Sequence, residues 1–502
     1  MTQVLQRYSD WKAPSEDGRM LIWPDPALIA QQTLQNAKLL GGADSVRVQG
    51  VSLPELRGAQ RKWIGHAQDD QLLFGTGHQT ELYHPGVWVK NALINALAEK
   101  QGGAAYHFSI ETDAPKHLHL RWPGDSQAVT DDPNLNDAAW TGLLEGPSPL
   151  HVDQVLAALE RAAQMWSVRP MAIEFLRSLK RLSLESSNLA WLLTNATHQL
   201  DWSLGMRHHA MLAGPMWMSP SYLVFVHDVL ARPEKFASIY NGALNEFRVE
   251  QGIRSIGRPW PDLRMEAGSC EVPFWIDSPA AGARARGIVE RGTDGWQIRA
   301  GRGEVFCFRA ETDGWVAADE LAKFLRRNDM VISPRALTLT LFFRLFIADQ
   351  FVHGIGGGRY DQVTDRVIEA YFRIEPPSFS VTTATLYFPG AVNPQRINLR
   401  PVLLEGRRLR HGLLSEEKTR MVKQIASLPR HSRERRRLFY DMHSRLAAGL
   451  AQPMFKEWES RLEETRKMVA AQAPLFDREM FFAMQPAERL DEMLKRYQKA
   501  VG

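Results

Sequence analysis

The sequence predicts an α/β protein organised around a parallel β-sheet. Residues 70–122 alternate strand, helix and strand: "QLLFGTG", a helix over 85–101, then "AAYHFSIET". Two apolar runs separated by a helical segment in so short a span follow the order of a parallel sheet with crossover helices. A second block runs from the strand "MVIS" through a long apolar helix and a glycine run to "QVTDRVIEAYF". It is expected to return to the same sheet. Between and beyond these blocks apolar residues recur at helical spacing, which reads as a helical insertion and a C-terminal helical domain.

In chain order, residues 1–44 read as an N-terminal arm with one helix, "PALIAQQTLQNAKLL". Residues 45–150 form the first half of the core, with "KHLHLRW" as a further strand. Residues 151–270 are the helical insertion, carried by "VDQVLAALERAAQMW" and "EKFASIYNGALNEFRVEQGI". Residues 271–404 hold a small β region and the second half of the core. There "GIVERGTDGWQIRA" is a hairpin turning at Thr293, Asp294 and Gly295, followed by helix "AADELAKFLRRN". Ser333 and Pro334 read as N-cap and first-turn residues of "RALTLTLFFRLFIADQFVHG", a helix apolar almost all round and therefore buried. Arg344 and Asp349 lie inside that run and need partners. "GIGGGRYD" reads as a ligand loop, with Asp361 as a cap for the next helix. In residues 405–502, "FKEWESRLEETRKMV" sets Trp458, Leu462, Thr465 and Val469 on one stripe. The stripe lasts too few heptads for a long coiled coil.

A chain of 502 residues is too long for one ordinary core and implies two or three domains. Its two cysteines, Cys270 and Cys307, fit a reducing compartment better than a disulfide framework. The N-terminus carries charges and lacks the apolar core of a signal peptide, and no uncharged apolar run approaches membrane-span length. A cytoplasmic protein without a membrane partner is the expectation. From Glu405 to Arg445 there are twelve Lys/Arg against five Asp/Glu. With few aromatics to stack bases, this reads as a solvated helix face, and nucleic acid is not the expected partner.

Three constellations carry the candidate chemistry. In "LFGTGHQTELYHPGVWVKNALINALAEK", Gly75, Thr76 and Gly77 end a strand and Pro85 opens a helix whose N–H groups and dipole can seat an anion. His78 and His84 flank that seat as acid–base candidates, with Gln79 beside them and Lys90 and Asn91 further along the helix. In "YHFSIETDAPKHLHLRW", Glu111 and Asp113 stand at a strand end, where they can take an amine or hydroxyl. His117, His119 and Arg121 share one strand face, and a metal reading would join the two histidines to Asp113. No third ligand lies at diagnostic spacing, so no metal is expected. In the third constellation Arg335 sits in a helix's first turn, where a cation requires a nearby anion. Gly356, Gly357 and Gly358 can wrap successive N–H groups around an anion, and Arg359 and Asp361 add charge.

The junction "ELYHPGVWVKNALINAL" resembles the His-rich turn of class I nucleotidyl-transferase folds, with His84 before Pro85 and Gly86. Taken in order, the blocks resemble the bacillithiol-biosynthesis cysteine-adding (BshC-like) enzyme family. Thr76, Gly77, His78 and Gln79 fill its turn, and Glu111, Thr112 and Asp113 its acidic strand end. "SPRALTLTLFF", "GIGGGRYD" and "IEPPSFSVTTATL" fill its later block. Thr112 stands where the family has a histidine between carboxylates. The resemblance implies a Rossmann-like core with helical insertions and a C-terminal helical domain containing a short coiled coil. It also implies a ligase joining a cysteine-like amino acid to an amine-bearing small molecule. ATP or another adenine nucleotide would be bound. The helical pattern of the tail itself reads as a hairpin packed on the body or on a second subunit, the latter giving a homodimer through the C-terminal helices. Two alternatives stay open: a non-catalytic scaffold contacting RNA or protein through the basic tail, and a metal-dependent hydrolase.

Overall fold

The structure is a computed structural model of the chain. It describes residues 11–66, 71–113, 115–130, 150–166, 168–255, 257, 259–300, 303–389, 397–413 and 415–502. Residues 1–10 of the expected arm and 131–149 of the first core half lie outside the described residues. The chain forms two compact units. One comprises Met1–Leu120, Ser126–Pro389 and Arg478–Gly502, the other Arg121–Asp125 and Gly390–Asp477.

The larger unit opens with β1 (Met20–Trp23), α1 (Pro26–Gly41) and α2 (Leu53–Trp63). Asp25 and Ser52 cap the two helices through their side chains, each with proline in the first turn, as this residue chemistry favours. Next come β2 (Leu73–Gln79), α3 (Pro85–Gln101) and β3 (Ala104–Ile110), followed by α4 (Val152–Trp166), α5 (Ala172–Leu182), α6 (Leu189–Ser203) and β4 (His209–Leu212). The stretch expected to be helical thus also supplies a strand. After α7 (Pro220–Ala231) and α8 (Pro233–Glu250) come β5 (Ser269–Ser278), β6 (Ala283–Gly292), β7 (Gly295–Arg299), β8 (Val305–Phe308), α9 (Gly314–Arg327) and β9 (Val331–Pro334). The second half of the core is α10 (Ala336–Phe346), β10 (Gln350–His353), α11 (Ile355–Val367) and β11 (Phe379–Ala384).

The core sheet has the order β1-β11-β10-β2-β3-β4. All neighbours pair in parallel except β1, which is antiparallel at one edge. The chain builds outward from β2 to β3 and β4, then returns and builds β10 and β11 on the opposite side. Construction therefore changes direction between β2 and β10. A second sheet, β8-β7-β6-β5-β9, is antiparallel throughout. Under the core sheet Phe108 of β3 stacks on Phe343 of α10, with ring centroids 4.6 Å apart, and Phe343 stacks on Phe351 of β10 at 5.6 Å. Each such buried ring contributes roughly 1.5–3 kcal/mol.

The second core block corrects three expectations. Residues 330–333 do not join the parallel sheet: β9 pairs with β5, and Ser333 Oγ donates to the buried Asp277 at 2.5 Å. Ser333 and Pro334 belong to that strand, and Arg335 takes the N-cap position of α10. The long apolar run is two elements, because Asp349 anchors the chain where the helix ends. Its carboxylate accepts from Arg57 at 2.6 Å and the Leu73 amide at 2.7 Å, and pairs with Arg61 at 2.7 Å. Held by α2 and the start of β2, the next four residues enter the sheet as β10. Finally, the glycine run is not a loop. Gly354 is the N-cap of α11, and Gly356, Gly357 and Gly358 form its start.

The smaller unit holds α12 (Arg400–Gly412), α13 (Ser415–Ser427), α14 (Arg433–Leu450) and α15 (Pro453–Gln472). Trp458 of α15 lies against Gly406 of α12 and donates from Nε1 to Val402 O at 2.8 Å. Met421, Ile425 and Met442 form the small core between α13 and α14. The expected 405–502 domain stops near 477. The last segment, with α16 (Ala487–Val501), packs on α3, where Phe482 stacks on Trp88 at 5.2 Å. Tyr497 OH also lies 2.6 Å from Thr382 Oγ1 of β11. Among the described residues, no helix is long and apolar enough to cross a membrane.

Candidate functional site

A cavity of about 440 Å³ lies at the carboxyl ends of β2 and β10, where the direction of construction changes. Open α/β sheets place ligands in this crevice, and the volume suits a small-molecule site. Thr76 pairs with Val352 in the sheet, and the next residues, Gly77 and His353, pair outward with Phe108 and Val381, so the two strands part there.

One wall comes from β2 and α3. At Gly77 a Cβ would lie 2.9 Å from Phe108 O, so glycine permits the close approach of β3. His78 lines the cavity with its Nε2 3.2 Å from Glu81 Oε1, and burial lowers its pKa. Gln79 donates to Asp113 Oδ2 at 3.0 Å, and both line the same space. Lys90 is buried, donates to Gly77 O at 2.5 Å, and is pushed by desolvation down to about 7.

The expected anion seat at the start of α3 is corrected. His84 is the N-cap: its Nδ1 accepts the Gly86 N–H at 3.1 Å, and its carbonyl accepts from Val87 at 2.9 Å and Trp88 at 3.1 Å. These N–H groups are already satisfied within the chain. Burial, reinforced by Arg478, pushes the His84 imidazole down to about 3, so it stands neutral as a cap.

The opposite wall supplies the open helix end. Gly354 has no side chain with which to cap α11. Gly358 N–H reaches Gly354 O at 3.0 Å. The preceding three N–H groups, of Ile355, Gly356 and Gly357, have no partner among the described residues, as expected for an uncapped first turn. Gly354, Gly356 and Gly357 line the cavity. Arg478 lines it too. Its Nη2 donates to Thr383 Oγ1 at 3.4 Å, and its buried Nε has no partner among the described residues. A Cβ at Gly86 would lie 2.5 Å from Thr383 Oγ1 and 2.9 Å from Arg478, so glycine lets α3 come this near. His353 completes the wall, with Nε2 2.9 Å from Asp361 Oδ2. Burial opposes ionisation of Asp361, but Arg344 and His353 hold its carboxyl below the ordinary range.

The crevice thus collects Gly77, His78, Gln79, His84, Lys90, Asp113, Gly356 and Gly357 from the sequence-derived candidates. The others lie elsewhere. Gly75 packs within the sheet near Ala348 and Phe351, and Thr76 Oγ1 donates to Val352 O at 2.7 Å. Asn91 bonds Asp201 at 3.0 Å and lies 2.7 Å from His107 Nδ1, in a separate polar pocket. Glu111 accepts from Ala213 and Gly214 N–H at 3.0 and 2.7 Å, and burial pushes its carboxyl up to about 7. Arg335 finds its anion in Glu271 at 2.7 Å, beside Trp275. Gly358 faces Val381 and Trp11, and Arg359 donates to Trp11 O. Asp361 sits behind His353, inside α11 rather than at its cap, bound to Thr340 and Arg344. His117 and His119 are exposed, and among the described residues no group of three His, Cys, Asp or Glu is arranged to hold a metal.

Sequence reasoning missed His353, Thr340, Thr383 and Arg478. Only His353 carried a local signal, since the charge at Asp349 interrupts the apolar run just before "QFVHG". Compared with known proteins, no family model matches this chain, and no curated protein matches it.

Proposed function

We propose that the protein is a group-transfer enzyme of the amide-forming ligase type, which seats the phosphate or carboxylate of a small-molecule substrate at the start of α11. The observation that carries this reading is the uncapped first turn of α11 opening on the cavity that Arg478 also lines. Free N–H groups at a helix start bind anions through hydrogen bonds and the dipole, and a guanidinium adds directed donors. Lys90, near 7, can carry charge when an anion arrives. Asp113, exposed at the rim and held by Gln79, supplies the opposite sign for an amine. The strand order, with its change of direction between β2 and β10, supports a Rossmann-like reading of the core sheet. Together with the resemblance to bacillithiol-type enzymes, it supports ATP or another adenine nucleotide as the bound cofactor. The same resemblance supports a cysteine-like amino acid and an amine-bearing acceptor as substrates, and a coiled-coil reading of the C-terminal helices.

Thermal-shift and calorimetric titration of the full chain with ATP, AMP and cysteine tests the reading. Binding of a nucleotide that weakens in Arg478→Ala is the expected result. A well-folded sample that responds to none of the three would refute it.

A further inference from the structure

We propose that His353 is the proton acceptor of the crevice. Resting on the reading above, its Nδ1 takes the proton of the amine or hydroxyl nucleophile that attacks the ligand seated at the start of α11.

His353 is the last residue of β10, at the carboxyl edge of the sheet. Its Nε2 lies 2.9 Å from Asp361 Oδ2. Asp361 cannot drift, because Thr340 Oγ1 donates to its Oδ1 at 2.7 Å and Arg344 donates to Oδ2 at 2.6 Å. An ionised carboxylate only accepts, so a neutral imidazole must turn Nε2–H toward it. The lone pair is then left on Nδ1. That nitrogen points to the first turn of α11: a Cβ at Gly357 would lie 2.9 Å from it. Glycine at 357 keeps Nδ1 open, and both residues line the cavity. The acceptor nitrogen therefore stands beside the free N–H groups that would hold the anion, where a base must be. The other two histidines of the crevice are placed differently. His84 Nδ1 accepts the Gly86 N–H, which leaves that ring only a donor, and His78, paired through Nε2 with Glu81, stands on the β2 wall rather than beside the start of α11.

With an acyl phosphate or acyl adenylate as donor, the amine lone pair forms the C–N bond. The bond between the acyl carbon and the phosphoryl-bearing oxygen breaks, and phosphate, or AMP from the adenylate, leaves with that electron pair. The amine proton passes to Nδ1.

Two measurements on the full chain test the assignment. The first is carbethoxylation by diethyl pyrocarbonate, located by peptide mass spectrometry. The second is the ¹⁵N spectrum of histidine-labelled protein, with His353→Gln to assign the signal. His353 should react, should be shielded by inorganic pyrophosphate, and should show unprotonated Nδ1. Asp361→Asn should shift the proton to Nδ1 and slow the reaction on the order of tenfold or more. That variant strands Arg344, so Gly357→Ala is the independent probe. Its site is an exposed position in a first helical turn, where alanine favours the helix, and its methyl should abolish the reaction in a folded protein. A wild-type Nδ1–H tautomer, equal reactivity in Gly357→Ala, or an unreactive His353 in the wild type would each overturn the assignment. Reactivity that Gly357→Ala abolishes but pyrophosphate does not shield would support the acceptor nitrogen and refute the anion seat.

Discussion

Lys90→Met separates the cost of the crevice's charge from its packing. Lys90 is 3% exposed, and its ammonium is lowered from 10.5 to about 7 by desolvation alone. At 1.36 kcal/mol per tenfold, that drop weighs roughly 5 kcal/mol against the folded state. The unfolded chain holds the proton up to pH 10.5, the folded chain only up to about pH 7. Between those values the unfolded state binds more protons, so this group makes stability rise with pH by up to ~1.4 kcal/mol per pH unit. Below pH 7 the penalty is complete and constant. Methionine keeps the length and removes the charge, and it forfeits the bond to Gly77 O, a loss of about 1–3 kcal/mol. Lys90→Met should therefore be about 2–4 kcal/mol more stable than wild type at pH 7, and less stable by about 1–3 kcal/mol near pH 10.5. Urea denaturation at both pH values reads the difference. Equal destabilisation at both would show that Lys90 carries no desolvation penalty, and would refute the reasoning. A lysine kept at such cost fits a group that waits for an anion.

The remaining predictions concern the anion and the support of the site. An anion at the α11 start should raise the proton affinity of Lys90, so ATP binding near pH 8 should take up protons, seen as a calorimetric enthalpy that changes with the buffer's ionisation heat. Arg478→Ala should lower nucleotide affinity about tenfold or more, the worth of one charged hydrogen bond, with the melting temperature unchanged. Arg344→Met should cost about 3–5 kcal/mol in denaturant unfolding, because it strands the carboxylates of Asp361 and Asp365, each 2.6 Å from the guanidinium. Gly358→Ala drives a methyl into Val381 and should cost about 1–3 kcal/mol. At Gly356 an added Cβ meets nothing within 4 Å, so alanine there should be neutral or stabilise by up to about 1 kcal/mol.

The first half of the core was legible because its signals are local. An apolar strand and a proline at a helix start act within a few residues, and α3 forms over the expected Pro85–Gln101, although β2 runs past Gly77 to Gln79. The second half was misread where distant groups decide. "LTLTLFFRLFIADQFV" has one apolar texture, yet its helix ends at Phe346 and its strand begins at Gln350. The choice is made by Arg57 and Arg61, nearly three hundred residues earlier, closing on Asp349. The glycine run shows the converse failure. Three glycines disfavour a helix by propensity, and buried packing of Gly358 on Val381 and Trp11 outweighs it.

From the amino-acid order alone came the class of fold, the helical flanks, the β2–α3 junction and eight of the residues that line its crevice, because local periodicity and turn chemistry need no partner. Tertiary structure decided which helix start stays open, which histidine stands beside it and that Arg478 joins them. Whether a helix end is free depends on what reaches it: at α3 the neighbouring His84 does, while at α11 glycine leaves it bare. The orientation of His353 depends on Asp361, itself held by Thr340 and Arg344. Such contacts close only when the sheet brings β2 and β10 together.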